Sequence, residues 1–282
     1  MGRLNNLRIP LMKSNKTINL VTVNFNSTKE TIDMLSSITN KYVDKIVVVD
    51  NFSSDQQYKL LNDYCMDIPI VTIIRLDENI GYFPALNQGL KAISDSNKKT
   101  GYTIICNNDL LFNDSFFKRL SKRNFKGNIM ALSPSVKTIN GVYQNPSLLK
   151  KPSKFRFLGY RIYYSNYFLG KIILNIWRLF GLGIDSNYTK DKVEKEIFIG
   201  IGAIFILLPN FFHKNECLDY PLFLYGEEAF FSAQLAKSGG SLFYVPDIEV
   251  IHLESVTTKK IPSKKNYLLN KKAFIMSKDF YR

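Results

Sequence analysis

Cysteine is scarce and unpatterned in this chain. Cys65, Cys106 and Cys217 are the only three, with no paired spacing, so neither a disulfide framework nor a zinc site is expected and a reducing compartment fits. Long apolar runs are also missing. The longest, from Ile197 to Pro209, falls short of the roughly 20 residues needed to cross a bilayer and reads as a buried strand pair. Near the N-terminus, the stretch from Ile9 to Met12 is broken by Pro10 and is too short for the core of a secretion signal. The expectation is a cytoplasmic protein, free or held peripherally at the inner face of the cell membrane. No G-x-G-x-x-G follows the first β-rich run, which counts against a dinucleotide-dependent oxidoreductase. Acidic residues are few for the number of basic ones, 24 against 38, leaving a net charge of +14. An anionic partner is implied, and nucleic acid, acidic lipid headgroups and phosphorylated substrates all qualify.

The first half alternates short β-rich runs with helical patterns. Ile18 to Val23 reads as a strand, Ser27 as the cap of a helix through Ile38, and Lys45 to Val49 as a second strand ending at Asp50. Ser54 or Asp55 then caps a helix, Ile70 to Leu76 is a strand, Pro84 to Ile93 is helical, Tyr102 to Cys106 is a strand, and Asn113 or Asp114 caps another helix. This rhythm predicts an α/β fold: a doubly wound, mostly parallel sheet with helices on both faces. Ligands of such sheets bind beyond the carboxyl ends of the strands. After Pro134 the pattern changes. A basic and aromatic insertion is read within 137–195, strand-like segments return in 196–258 with a helix from Glu228 to Lys237 and two short strands ending near His252, and 259–282 is a basic, aromatic tail. Repeats and low-complexity linkers are absent, so 1–282 is read as a single domain with a decorated C-terminal end.

Several polar residues fall where ligands are expected. Asp50, after its strand, can accept hydrogen bonds from a base or ribose, or cap a helix. Asn79-Ile80-Gly81-Tyr82 can bring backbone N–H groups close to an anion, or form an ordinary turn. Asn107-Asn108-Asp109 places a carboxylate where a hard divalent cation would sit, or makes a polar turn. Glu227-Glu228 opens a helix, where acids also suit the dipole, and His252 is either a core histidine or a metal ligand.

The order of these motifs carries more than any one of them. Thr22-Val23-Asn24-Phe25-Asn26, Val47-Val48-Val49-Asp50-Asn51, Asn79-Ile80-Gly81-Tyr82, Asn107-Asn108-Asp109, Gly200-Ile201-Gly202-Ala203, Tyr225-Gly226-Glu227-Glu228 and His252 together resemble family 2 glycosyltransferases, most closely the rhamnosyltransferase-like branch. The resemblance spans roughly Ile18 to Ser255. It implies the GT-A fold, a nucleoside-diphosphate sugar donor, an inverting mechanism and a divalent cation, Mn²⁺ or Mg²⁺. Carried over by position, Asp50 would recognise the nucleotide, with Thr22, Asn24, Asn51, Gly81 and Asn87 lining its pocket. Asp109 would take the place of the last acid of the family's DXD motif and bind the metal with His252. Asn107, at the partner position of that motif, is grouped with the nucleotide contacts and leaves a single strong acid there. The family's Glu-Asp pair becomes Glu227-Glu228, with Glu228 as base. The implied role is transfer of a hexose or rhamnose in bacterial surface polysaccharide or glycan assembly.

A basic nucleic-acid-binding protein is the alternative, but it leaves the ordered acidic sites unexplained, so no nucleic acid is expected. Basic and aromatic residues interleave from Lys150 to Gly183 and again from Lys259 to Arg282. That alternation predicts a lipid-linked glycan acceptor and peripheral contact with an anionic membrane. The competing reading packs those aromatics into a small subdomain with a solvated lysine face.

Overall fold

A computed structural model of the chain describes residues 16–39, 41–179, 189–254 and 263–282. Strands and helices alternate at first: β1 (Ile18–Asn24), α1 (Thr28–Ser36), β2 (Lys45–Asp50), α2 (Asp55–Cys65), β3 (Val71–Arg75), α3 (Tyr82–Lys91), α4 (Asp95–Thr100) and β4 (Tyr102–Asn107). A short β5 (Leu110–Leu111), α5 (Asp114–Ser121) and β6 (Ile129–Thr138) follow. Two helices, α6 (Lys154–Tyr163) and α7 (Tyr167–Leu179), precede β7 (Lys195–Ile197), β8 (Ile204–Leu207), α8 (Pro209–Phe212), α9 (Glu227–Lys237), β9 (Ser241–His252) and α10 (Ser263–Tyr281).

Local chemistry sets the helix starts. Ser54, not Asp55, caps α2 by accepting from the Gln57 amide. Asn113, not Asp114, caps α5 by accepting from the Phe116 amide at 3.0 Å. Ser27, expected to cap α1, makes no side-chain cap; its hydroxyl accepts from the Asn108 side-chain amide at 2.7 Å.

The sheet runs β3-β2-β1-β4-β8-β6-β9-β5, with β7 on β9. Its first four strands are mutually parallel. β8 then runs antiparallel between β4 and β6, while β6 and β9 are parallel. Both faces are covered, as alternation along β2 shows: Ile46 and Val48 join a core with Met34 and Leu61 from α1 and α2, whereas Val47 and Val49 join one with Phe83 and Leu86 from α3.

Three further sequence expectations change. Ile197 to Pro209 does not form a pair of neighbouring strands, since β7 bonds to β9 and β8 lies between β4 and β6. The two short strands expected before His252 are one 12-residue strand, whose register against β6 shifts between Pro134 and Ser135. β6 itself runs through Pro134, beyond which the sequence pattern changes; the irregularity lies beside the proline, which cannot donate to a ladder. The aromatics of the insertion pack against α10: Tyr164 stacks on Phe274 at 4.8 Å, and the Tyr267 hydroxyl donates to the Tyr163 carbonyl at 2.8 Å.

Candidate active site

The carboxyl ends of β1, β2 and β4 lie side by side, with Asn24 opposite Asp50 and Val23 opposite Asn107. Beyond them opens a cavity of about 680 Å³ lined by Asn51, Gly81, Asn107, Asp109, Gly202, Glu227, Glu228, His252 and Glu254 among others. Most of the residues singled out from the sequence therefore meet in one place, although the chain separates them widely.

Asp109 and His252 are brought together by the shortest strand. β5 pairs antiparallel with the end of β9, Leu110 opposite His252, and the Leu253 amide donates to the Asp109 carbonyl at 3.0 Å. Asp109 Oδ1 and His252 Nε2 are then 3.3 Å apart, and both residues line the cavity. The other ring nitrogen is held by Gln144. Gln144 Nε2 donates to Glu254 at 2.9 Å, so its amide oxygen faces His252 Nδ1 at 2.7 Å and accepts the proton there. In the neutral ring Nε2 then presents its lone pair toward Asp109, so these two residues could together hold a cation. Among the described residues no group of three or more His, Cys, Asp or Glu forms a complete cation cage.

The acidic pair lines the same cavity from the first turn of α9. Tyr225 and Gly226 take positive φ, 75° and 83°, to turn the chain sharply into the helix. Glu227 Oε1 accepts from the Tyr225 amide at 3.0 Å and Glu228 Oε1 from the Gly202 amide at 3.2 Å. A helix N-terminus favours carboxylates, yet burial prevails. It pushes the Glu227 carboxyl up to about 7, with the nearby Glu228 charge adding to the effect, and it raises Glu228 as well. Tyr82 reports the same crowding: burial raises its phenol first, and Cys106, Glu227, Asp109 and Glu228 add to it. A Cβ on Gly202 would lie 2.8 Å from Glu228 Oε1, so any side chain there would displace that carboxylate.

The residues expected from the sequence to contact the nucleotide divide. Asn51 lines the cavity and ties the Asn79–Gly81 turn, donating to Asn79 at 2.9 Å and accepting from the Ile80 amide at 3.0 Å. Gly81 is required by its φ of +93° and by the Phe223 carbonyl, which a Cβ would meet at 2.4 Å. Asn107 lines the cavity and its backbone N–H donates to the Ala203 carbonyl at 2.8 Å. Thr22, Asn24, Asp50 and Asn87 do not line it. Thr22 donates to the Cys106 carbonyl at 2.9 Å, and Asp50 is fully buried, accepting from Asn24 at 2.8 Å and from the Ser53 amide at 3.1 Å. Asn87 exchanges two hydrogen bonds with the Leu218 backbone, pinning that segment to α3. These four hold the wall of the cavity from behind.

Gln144, Glu254 and Asn145 were not singled out in the sequence. Asn145 accepts from the Ile201 amide at 2.7 Å and donates to the Pro134 carbonyl at 2.8 Å, so it positions the loop that presents Gly202 to Glu228. Each lies in irregular chain with no periodic signal.

The model of glycosyl transferase family 2 matches residues 20–181 of the 282. The chain belongs to that family. In sequence alone, no curated protein matches. Among solved structures, GalNAc-T7 with UDP, GalNAc and Mn²⁺ superposes with a TM-score of 0.59 at 17% identity, covering 95% of this chain and 50% of that one. TarS 1-349 of S. aureus in complex with UDP-GlcNAc gives a TM-score of 0.59 at 15% identity, covering 94% of this chain and 66% of that one. The chain thus spans half to two thirds of the length of these similar structures. At such identities the likeness is one of fold, and the family 2 chain has the α/β architecture of GT-A glycosyltransferases.

Proposed function

We propose that this family 2 chain transfers a sugar from a nucleoside-diphosphate donor to an acceptor hydroxyl with inversion, and that Glu228 is the base. The observation that carries this is the convergence of two pairs on one cavity at the carboxyl edge of the sheet, Asp109 with His252 from β5 and β9 and Glu227 with Glu228 from the start of α9. The donor's diphosphate belongs beside Asp109 and His252, and the acceptor beside α9. Glu228, held by the Gly202 amide, takes the acceptor proton as its oxygen attacks the anomeric carbon. Its raised proton affinity suits a base working near neutral pH, a contribution typically worth about 10² to 10⁴ in rate. Glu227 keeps the turn before α9 in place through the Tyr225 amide.

A divalent cation fits this site. Among the described lining residues are Asp109, Glu227, Glu228 and Glu254 but no Lys or Arg, so a diphosphate entering it needs positive charge from elsewhere. Asp109 and His252 would hold the ion, a mixed carboxylate and imidazole set that suits Mn²⁺ at least as well as Mg²⁺. Bound there, it would stabilise the charge that develops on the departing diphosphate. The Mn²⁺ and UDP bound by a protein of like fold support the assignment. The same acidic lining argues against nucleic acid as the ligand.

The donor sugar is expected to be a hexose or rhamnose, and the acceptor a glycan in surface polysaccharide assembly, attached to lipid. A panel of nucleotide sugars tests the proposal, with nucleoside diphosphate release and the anomeric configuration of the product as readouts. Release with an inverted product is expected. Retention, or tight oligonucleotide binding without release from any donor, overturns it.

A further inference from the structure

The feature that the cavity leaves unexplained is the outer side of α6 and α7. On α6, Phe157, Tyr160 and Tyr164 at its end turn inward, against Phe274 of α10. Phe155, Leu158 and Ile162 recur at helical spacing on the opposite side and are exposed, Phe155 by 86%. α7 repeats the pattern. Gly170 is buried where a Cβ would come 2.9 Å from the Tyr163 carbonyl, while Phe168, Ile172 and Ile176 are exposed, Phe168 by 71%. Folded soluble proteins rarely leave a face of this kind bare.

Its surroundings are of one charge. Lys150, Lys151, Lys154, Arg156, Arg161 and Lys171 are all exposed, and no Asp or Glu occurs from Lys150 to Gly183. We propose that the outer face of α6 and α7 docks the protein on an anionic lipid surface, its apolar side chains seated in the headgroup layer and its cations against the lipid charge. A second copy of the chain is the poorer occupant, because a self-complementary contact would set these cations against each other. Among the described residues no helix is long and apolar enough to cross a membrane, so the contact lies on the bilayer. α10 is the support for this face: its Tyr267 and Phe274 are buried, so truncating it would disturb the helices it holds. The inference deepens the lipid-linked acceptor and rests on that reading for its purpose.

The full chain is tested by flotation with phosphatidylcholine vesicles with and without phosphatidylglycerol. The variants are a triple Phe155→Ser, Phe168→Ser, Ile172→Ser chain and a charge-reversed Lys154→Glu, Arg161→Glu, Lys171→Glu chain. Binding only to the anionic vesicles is expected, weakened by salt. The triple serine chain should lose about 100-fold in partitioning with its circular dichroism and nucleoside diphosphate release unchanged, and charge reversal about tenfold or more. If the serine chain misfolds, the charge-reversed chain decides. No binding by the native chain, equal binding to both vesicles, or a native dimer that the serine substitutions dissociate overturns the proposal. Vesicle binding without nucleoside diphosphate release from any donor supports the docking face while removing the transfer reading.

Discussion

Replacing Glu227 by glutamine should make the protein more stable, and only above acid pH. Burial, aided by the Glu228 charge, lifts the Glu227 carboxyl from 4.5 to about 7. A folded-state value above the unfolded one means that the folded chain holds the proton more tightly. The associated stability is fully present below pH 4.5 and is lost as pH rises through about 7. The shift corresponds to on the order of 3 kcal/mol by pH 8, since Glu227 is only 8% exposed and little solvent screens it. Glutamine keeps the shape and discards the charge, and it relieves Glu228 as well, so the measured difference belongs to the pair. Urea denaturation of both proteins from pH 4.5 to 8.5 reads it directly. Near-equal stability at the acid end should widen to about 3 kcal/mol at the alkaline end, or about 5 °C in melting temperature for a chain of this length. A difference that does not change with pH would refute the argument that an ionised Glu227 is buried at a cost.

Glu228→Gln should lower kcat by about 10² to 10⁴ while leaving the donor KM nearly unchanged; in the native enzyme kcat/KM should rise with pH as the Glu228 carboxyl, whose proton affinity burial raises, gives up its proton. If Glu227→Gln is the more damaging change to kcat, the roles of the two are reversed. Chelator should abolish transfer, and Asp109→Ala or His252→Ala should remove Mn²⁺ binding measured by calorimetry without donor. Gln144→Leu should weaken that binding about 10- to 100-fold by releasing the His252 ring, and unchanged affinity would remove Gln144 from this role. Gly81→Ala should destabilise the fold by about 2 kcal/mol or more, because the positive φ and the Phe223 carbonyl both oppose a Cβ; denaturant midpoints check it.

The sequence by itself determined the parallel half of the sheet and the places where its chemistry gathers. Short β-branched runs ending in Asn24, Asp50 and Asn107, alternating with helical patterns, read as buried parallel strands whose polar ends meet at one edge, and that logic is local and repeating. It also singled out Asp109, Glu228 and His252, through the order of motifs, and all three line the one cavity. The tertiary structure decided what those residues touch. Asp50 and Asn24 turned out to satisfy each other inside the wall, because a buried carboxylate must find donors and the parallel register set Asn24 beside it. The Asp109–His252 contact exists only because a two-residue strand pairs with the far end of β9, a pairing too short to leave a periodic pattern. Gln144 and Glu254 enter through loops, where no periodicity marks a residue. The basic and aromatic segments were visible as composition, but which aromatics face inward depended on α10 returning to cover one side of α6 and α7. Long-range packing of that kind has no local signature, so it was decided only in three dimensions.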